Sequence, residues 1–235
     1  MTFVLLGAPY QAKAETFTEE QKAELKTMLD AYLKENGELI LKSVNSFQAK
    51  QLQEQQKAQA EKVKKFAADL KNDSSLPIAG NPEGDITVVE FFDYNCGYCR
   101  KALEEIEKLL AEDDQVKVVL IDMPILGPQS QEASKWSVAA ANQGKYFEYH
   151  RAIMNHNGPK DISALKKLAK DVGLDVKELE KDKESIPVGN MIKANLDKAR
   201  ELGIQGTPGF MIEDEVARGF ITAEQMKSII KDIRG

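Results

Sequence analysis

Apolar side chains in the first quarter of the chain recur at the spacing of one helix face. Residues 16–71 contain almost no glycine or proline and are rich in glutamine, glutamate, lysine and alanine, which favour helices. Thr18 followed three residues later by Gln21 predicts a capping box, and Asn36-Gly37 interrupts the pattern. We therefore predict two helices over residues 15–50. The apolar stripe that they share comprises Leu25, Met28, Leu29, Tyr32, Leu33, Leu39, Ile40, Val44 and Phe47.

The stripe becomes sparse beyond residue 50, where only a few apolar residues interrupt a run of charged and glutamine side chains. This composition predicts a solvated helical linker over residues 51–77. The stripe itself is too narrow to form a core, so it needs a partner. Packing on the next domain is one solution, but the polar linker favours association with the same stripe on other copies of the chain. We therefore expect a homo-oligomer, with a trimer favoured over a dimer.

The period of the apolar pattern changes after Pro82. Residues 86–92 form a continuous apolar run that predicts a buried strand, and residues 96–110 have helical composition. Residues 116–121 predict a second strand. The order strand, helix, strand implies a parallel pair joined by a right-handed crossover.

The C-terminal half begins with a mainly helical stretch over about residues 130–202, broken at glycine and proline positions. Short strands are predicted at residues 210–212 and 216–220, followed by an amphipathic helix over residues 222–233. Strand and helix units with a helical block between them predict an α/β domain.

Composition narrows the functional classes. The chain has 235 residues, of which 42% are hydrophobic, so it can bury a full core. Its 32 basic and 38 acidic side chains give a net charge of −6, which argues against binding to nucleic acid or to an anionic membrane. The chain has only 2 cysteines, Cys96 and Cys99, which excludes a scaffold held by several disulfides.

The N-terminus carries part of an export-signal pattern. An apolar stretch at residues 3–6 is followed by Ala12-Lys13-Ala14, which has the small-x-small form of a signal-peptidase site, but a basic segment before it is missing. We interpret residues 1–14 as the remnant of an export signal. The alternative is a disordered N-terminus of a cytosolic protein.

Cys96-Gly97-Tyr98-Cys99 directly follows a predicted strand and opens a predicted helix. Unpaired N–H groups and the helix dipole stabilise a thiolate at that position, and Cys99 lies one turn later on the same face. Cys96 is thus the expected nucleophile and Cys99 the resolving thiol. A zinc site would need two more ligands, which His150 and His156 are poorly spaced to provide. We expect neither a metal nor a cofactor beyond a redox-active disulfide between Cys96 and Cys99.

These motifs resemble those of a known protein family. Residues 78–235 resemble the DsbA-like family of thiol-disulfide oxidoreductases, most specifically through the strand and CxxC motif of residues 89–99. Residues 206–210 resemble the family's cis-proline loop. Five further segments resemble parts of the family's inserted helical domain: Pro124-Ile125-Leu126-Gly127, Ser130, Ala139-Ala140-Ala141, Gly144-Lys145-Tyr146 and Tyr149-His150. The N-terminal helices with their linker are similar to oligomeric ScsC-like members.

The resemblance implies a thioredoxin fold over residues 78–235, with a helical insertion at about 124–202, in a soluble periplasmic protein. Pro208 would be cis and Thr207 would lie against the sulfurs, where its backbone pairs with an extended substrate. Glu90 would be a buried acid that exchanges a proton with Cys99. Gly97 and Tyr98 would contact the substrate.

Four aromatic residues outside the CxxC motif are expected to take no direct part in the chemistry. Phe92 and Tyr94 are expected to line the substrate groove, whereas Trp136 and His150 are expected to be packing and surface residues.

The dipeptide between the cysteines distinguishes the oxidising members of the family from the isomerases. Strongly oxidising members usually have Pro-His, whereas Gly97-Tyr98 and a threonine before the cis proline resemble periplasmic isomerases. The expected function is therefore disulfide isomerase or reductase, acting on secreted proteins with disulfides and kept reduced by a membrane electron donor. A dithiol oxidase remains an alternative, as does a non-enzymatic chaperone or copper-handling protein that uses the two thiols as a soft metal site.

Overall fold

The computed structural model describes residues 17–72 and 76–235, so the expected export-signal remnant at residues 1–14 lies outside the described part. The chain divides into two compact units, one ending at Gln56 and one beginning at Lys57. Within the described ranges, none of the helices combines the length and the apolar character that crossing a bilayer requires.

The described part of the first unit consists of one helix and the first part of a second, which continues into the second unit. Helix α1 spans Glu19–Glu35 and begins at the predicted capping box, in which Thr18 and Gln21 exchange backbone and side-chain hydrogen bonds. The break falls at the predicted position, and helix α2 spans Gly37–Asn72. The side chains of the apolar stripe are between 42% and 63% exposed in the single chain. So much exposed apolar surface is unfavourable in water unless something covers it.

The second unit contains a five-stranded sheet. Its strands are β1 (Ile78–Gly80), β2 (Ile86–Phe92), β3 (Val116–Asp122), β4 (Gly209–Ile212) and β5 (Glu215–Arg218), in the order β1-β3-β2-β4-β5. Strands β2 and β3 are parallel, as predicted, and the other neighbours are antiparallel. The edge strand β1 was not predicted because three residues are too few to show a period.

Helices follow the strands in the predicted order. Helix α3 (Gly97–Glu112) connects β2 to β3, and α9 (Ala223–Arg234) closes the chain. Between β3 and β4 lie α4 (Pro128–Ala140), α5 (Tyr146–Asn155), α6 (Ile162–Asp171), α7 (Val176–Asp182) and α8 (Ile186–Glu201). The predicted α/β fold with a helical insertion is therefore confirmed. The break predicted at residues 185–187 falls between α7 and α8: Ser185 is the N-cap of α8, and Pro187 lies in its first turn, where proline is tolerated.

Strand β2 is buried on both faces. Val88 and Phe92 belong to a core cluster that includes α3 and the inserted helices, whereas Val89 and Phe91 belong to a second cluster on the other face. That second cluster includes Val63 and Leu70 of α2, which are both 4% exposed. The expectation that the linker is solvated is therefore wrong for these two residues. They are seven positions apart, so they share one helix face, which packs on the sheet.

Candidate active site

The two cysteines lie at the junction of β2 and α3. Cys96 is the N-cap residue of α3, in an extended backbone conformation, and the first turn of the helix has no acidic side chain. Cys96 remains 9% exposed, whereas Cys99 is fully buried. The unpaired N–H groups at this helix end favour negative charge on Cys96, which is the only one of the two sulfurs that a large substrate could reach.

The two thiols differ in acidity. A hydrogen bond from Cys99, together with the Thr207 side chain and backbone N–H groups, lowers the pKa of Cys96 to about 6, although partial burial opposes the shift. Burial raises the pKa of Cys99 far above its usual range. At neutral pH, Cys96 is therefore a thiolate and Cys99 a thiol, as an attacking and a resolving cysteine must be.

The loop before β4 lies against Cys96. The peptide bond between Thr207 and Pro208 is cis, as the resemblance implies. Cys96 Sγ lies 3.3 Å from the Thr207 carbonyl oxygen, to which it donates a hydrogen bond when it is protonated. Beside this loop is a cavity of about 530 Å³, lined by residues 203–208 together with Arg218 and Gly219. An extended polypeptide can therefore approach the sulfur along the loop.

Glu90 lies on β2 beneath the motif. Its side chain is 1% exposed, and neither carboxyl oxygen has a hydrogen-bond partner. Burial raises the pKa of Glu90 to about 8, and the charge of Cys96 acts in the same direction. The burial of Glu90 agrees with what the resemblance implies. The carboxyl is also close enough to Cys99 to contribute to the raised pKa of that thiol.

This burial predicts a pH-dependent loss of stability. Because the folded pKa of Glu90 is above the value of about 4.3 in an unfolded chain, the folded state binds the proton more tightly, and stability falls as pH rises through that interval. We expect Glu90→Gln to remove a loss of roughly 4 kcal/mol between about pH 5 and about pH 8. Urea denaturation of the reduced protein at both pH values measures the free energy of unfolding, from which this loss is calculated. Glu83→Gln, which changes an exposed carboxylate, serves as the control. If the unfolding free energies of the parent and of Glu90→Gln changed in parallel with pH, the raised pKa assigned to Glu90 would be contradicted.

Gly97 and Tyr98 lie at the surface of the site. Tyr98 is 60% exposed, its ring lies 6.0 Å from that of Phe220, and the Lys101 ammonium is 5.2 Å from its centroid. A Cβ atom at Gly97 would meet no other atom within 4 Å, so the fold does not require glycine there. Tyr98 is therefore available to a substrate but supplies no positive charge near Cys96.

Sequence reasoning missed Asp93, the residue that holds the turn before Cys96. Its buried carboxylate accepts hydrogen bonds from the N–H groups of Asn95, Ile125 and Leu126 and from the Ser130 hydroxyl, at 2.6 to 2.9 Å. It thus joins the motif to the loop after β3. Its position between a strand and the CxxC motif was visible in the sequence, but its partners 30 or more residues away were not.

Four aromatic side chains near the site are all buried, which overturns the expectation for two of them. Phe92 and Tyr94 are buried, so they do not line the groove. Trp136 and His150 are also buried, so they are packing residues, as expected, and neither is a surface residue. The Tyr94 hydroxyl lies 3.1 Å from His150 Nδ1, a contact between residues 56 positions apart that no local pattern indicates.

Over residues 17–72 and 76–235, no group of three or more histidine, cysteine, aspartate or glutamate side chains is arranged to hold a metal ion.

The chain is similar to a family model and to several solved structures of oxidoreductases. The thioredoxin family model matches residues 72–232. A thioredoxin-like oxidoreductase from Silicibacter pomeroyi DSS-3 has 41% identity over 70% of this chain and 95% of that chain, with a TM-score of 0.68. The thiol-disulfide exchange protein alpha-DsbA2 from Wolbachia pipientis has 25% identity over 75% and 96% of the two chains, with a TM-score of 0.69.

Two further similarities differ in coverage: one extends over most of both chains, and the other covers a small part of a much longer protein. ScsC from Proteus mirabilis, in a transitional conformation, has 25% identity, covers 92% of this chain and 96% of that chain, and has a TM-score of 0.66. The Na(+)/H(+) antiporter NhaA 3 of Salinispora tropica is 26% identical over 155 residues, which are 65% of this chain and 24% of that protein. The chain thus spans about a quarter of the length of the curated relatives that it matches.

Proposed function

The chain belongs to the thioredoxin family as a DsbA-like thiol-disulfide oxidoreductase, and we propose that it acts as a disulfide isomerase or reductase on exported proteins. The observation that carries this proposal is the contrast between the two thiols. Cys96 has a pKa of about 6 and a reachable sulfur, whereas Cys99 is buried beneath it as a thiol. The adjoining cavity along the Thr207 loop leaves room for a polypeptide.

The reaction begins with the Cys96 thiolate. It attacks one sulfur of a substrate disulfide, which forms a mixed disulfide and releases the other substrate sulfur as a thiolate. In isomerisation, a different substrate thiolate attacks the substrate sulfur of the mixed disulfide, which forms a new substrate disulfide and regenerates Cys96. No electrons are gained or lost by the protein in that cycle.

Reduction uses the second cysteine. Cys99 loses its proton and attacks Cys96, which forms the Cys96–Cys99 disulfide and releases the reduced substrate. Ionised Glu90, whose pKa is about 8, can accept that proton in a site where Cys99 is cut off from water. A membrane electron donor must then return two electrons to the disulfide, and no other cofactor is required.

The dipeptide supports isomerisation over oxidation. Tyr98 supplies no positive charge, and the pKa of Cys96 is about 6, well above the value of about 3.5 found in the strongest oxidant of this class. A less stabilised thiolate is a better nucleophile and a poorer leaving group, so the mixed disulfide persists long enough for a substrate thiol to attack it.

The exposed apolar stripe supports an oligomer. It forms one face of α1 and of the first part of α2, and the similarity to ScsC extends over 92% of the chain. We propose that the stripe assembles copies of the chain, three in preference to two, so that several Cys96 thiolates can act on one substrate.

The proposed location is the periplasm. The sequence pattern of residues 1–14 suggests export, and disulfides that need isomerisation form in oxidising compartments. The substrates would be exported proteins with incorrect disulfides.

A histidine in place of Tyr98 tests the role of the dipeptide. We expect Tyr98→His to stabilise the thiolate, lower the pKa of Cys96 and raise the reduction potential by roughly 30 mV per pKa unit. Equilibration with glutathione measures the potential, and thiolate absorbance measures the pKa. The parent should be less oxidising than about −120 mV, the value of DsbA. Tyr32→His on α1 is the control. A parent as oxidising as DsbA would favour a dithiol oxidase instead.

A further inference from the structure

Arg218 is the one charged residue among the described residues that line the cavity beside the Thr207 loop. Its Nε donates a hydrogen bond to the Gly203 carbonyl oxygen at 3.3 Å. The remaining N–H groups of the guanidinium have no hydrogen-bond or ion-pair partner within the described part of the chain. The cavity therefore presents a positive charge with unused donors, although the whole chain has a net charge of −6.

The guanidinium of Arg218 lies against the loop, although the residue is exposed. Gly203 has a φ of +71°, and a Cβ atom at that residue would lie 3.4 Å from Arg218 Nη2 and 3.9 Å from Gln59 Nε2. Gln59 donates a hydrogen bond to the Glu201 carbonyl oxygen at 3.1 Å, which holds its side chain beside the guanidinium. Because Arg218 is already held in this way, it loses less conformational entropy when it binds a partner.

Arg218 lies within reach of a substrate attached to Cys96. It pairs on β5 with Gly209 of β4, which lies two residues after Thr207, and the Thr207 carbonyl oxygen is 3.3 Å from Cys96 Sγ. With roughly 4.8 Å between strands and roughly 3.3 Å per residue along them, the backbone of Arg218 lies roughly 8 Å from that of Thr207. An extended polypeptide covers that distance in about two or three residues.

A carboxylate is the group of a polypeptide that suits this guanidinium. Arginine presents its N–H groups in a planar fork that matches the two oxygens of a carboxylate, and it stays charged at any physiological pH. Main-chain hydrogen bonds to the Thr207 loop do not distinguish one substrate side chain from another. The charge of Arg218 does distinguish them, because it attracts an acidic side chain and repels a basic one.

We propose that Arg218 selects substrates in which an aspartate or glutamate lies about three residues from the cysteine that Cys96 attacks. The acidic side chain pairs with the Nη groups of Arg218 while the substrate backbone extends along the Thr207 loop. Arg218 determines specificity and takes no part in the transfer of protons or electrons. This proposal rests on the proposed function, because it concerns the attack of Cys96 on a substrate disulfide.

The rate of that attack on three peptides tests the proposal. Each peptide has one cysteine as its 2-thiopyridyl disulfide, and the third position on both sides is glutamate, glutamine or lysine. Absorbance of the released thiopyridone measures the first attack by the reduced full-length protein. At low salt we expect the glutamate peptide to react about threefold faster than the glutamine peptide, the effect of one exposed ion pair, and the difference to fade in high salt. The net charge of −6 would favour the lysine peptide instead, so this order requires a local positive charge.

Variants locate that charge. In Arg218→Gln the ratio of the glutamate rate to the glutamine rate should fall to about one, and in Arg218→Glu the lysine peptide should become the fastest. The control is Arg151→Gln on α5, which removes an arginine paired with Glu107, about three turns along α3 from Cys96, and it should keep the ratio of the parent. The rate with the glutamine peptide shows that each variant is folded and reactive.

Equal rates for the glutamate and glutamine peptides in the parent would overturn the role of Arg218 and leave the proposed function intact. A glutamate preference that persists in both Arg218 variants would overturn it as well. Failure of all three peptides to react with the parent would overturn both this proposal and the proposed function.

Discussion

Replacing Cys96 by serine is expected to abolish thiol-disulfide exchange, whereas Cys99→Ser should perform the first attack and then stop as a mixed disulfide. The reason is the unequal environment of the two sulfurs: the pKa of Cys96 is lowered to about 6, whereas burial raises that of Cys99 and removes it from solvent. At about pH 6, half of Cys96 is thiolate, on the order of 100 times the fraction of a free cysteine with a pKa of about 8.5.

Mass spectrometry under non-reducing conditions measures this result directly. Each single-cysteine variant is mixed with a peptide that contains a disulfide, and the adduct is followed with time at mildly acidic pH. Each variant retains one thiol, so each serves as the control for the other. Comparable rates of adduct formation on Cys99 and Cys96 would contradict the assigned roles.

Removal of the exposed stripe is expected to convert the proposed oligomer to a monomer and to abolish the proposed isomerase activity. Burying each apolar side chain is worth roughly 1.5–3 kcal/mol, so nine of them can offset the entropy lost on association even when burial is partial. The truncated chain should begin at Lys57 rather than after α2, because Val63 and Leu70 pack on the sheet. That chain keeps Cys96, Cys99 and the Thr207 loop, and it should still reduce an exposed disulfide.

Light scattering gives the mass of each form, and activity is then measured separately. Within the full chain, Leu29→Glu combined with Phe47→Glu should dissociate the oligomer, because both side chains belong to the exposed stripe. The matched control is Lys26→Glu combined with Lys42→Glu, which changes exposed polar positions on the same helices. A monomeric parent would contradict the oligomer, and a monomer that isomerises as well as the parent would contradict the role given to the stripe.

The reactive centre was accessible from the sequence because its determinants are local. The apolar run of β2 followed by Cys96 places the thiol at a helix N-terminus. The buried acid at Glu90 was implied by the resemblance to the DsbA-like family and not by the local pattern. Burial on both faces of β2 was indicated by the continuous apolar run, because a strand with one solvent-exposed face would alternate apolar and polar residues.

Other features depend on contacts between distant segments. Strand β1 exists because Ile78 pairs with Val119, and the buried contact of Tyr94 with His150 joins residues on different helices and loops. None of these residues lies in a local pattern that differs from an ordinary strand end or helix, so periodicity alone could not reveal them.

The refolding of scrambled, disulfide-containing ribonuclease by the reduced full-length protein tests the proposed function most directly. The Cys96 thiolate, the absence of a charged residue in the Gly97-Tyr98 dipeptide and the exposed stripe together predict that ribonuclease activity is regained with repeated turnover. The same protein in its oxidised form should introduce disulfides into fully reduced ribonuclease only slowly. Rapid oxidation of reduced ribonuclease without recovery of the scrambled form would show a dithiol oxidase and contradict the isomerase assignment.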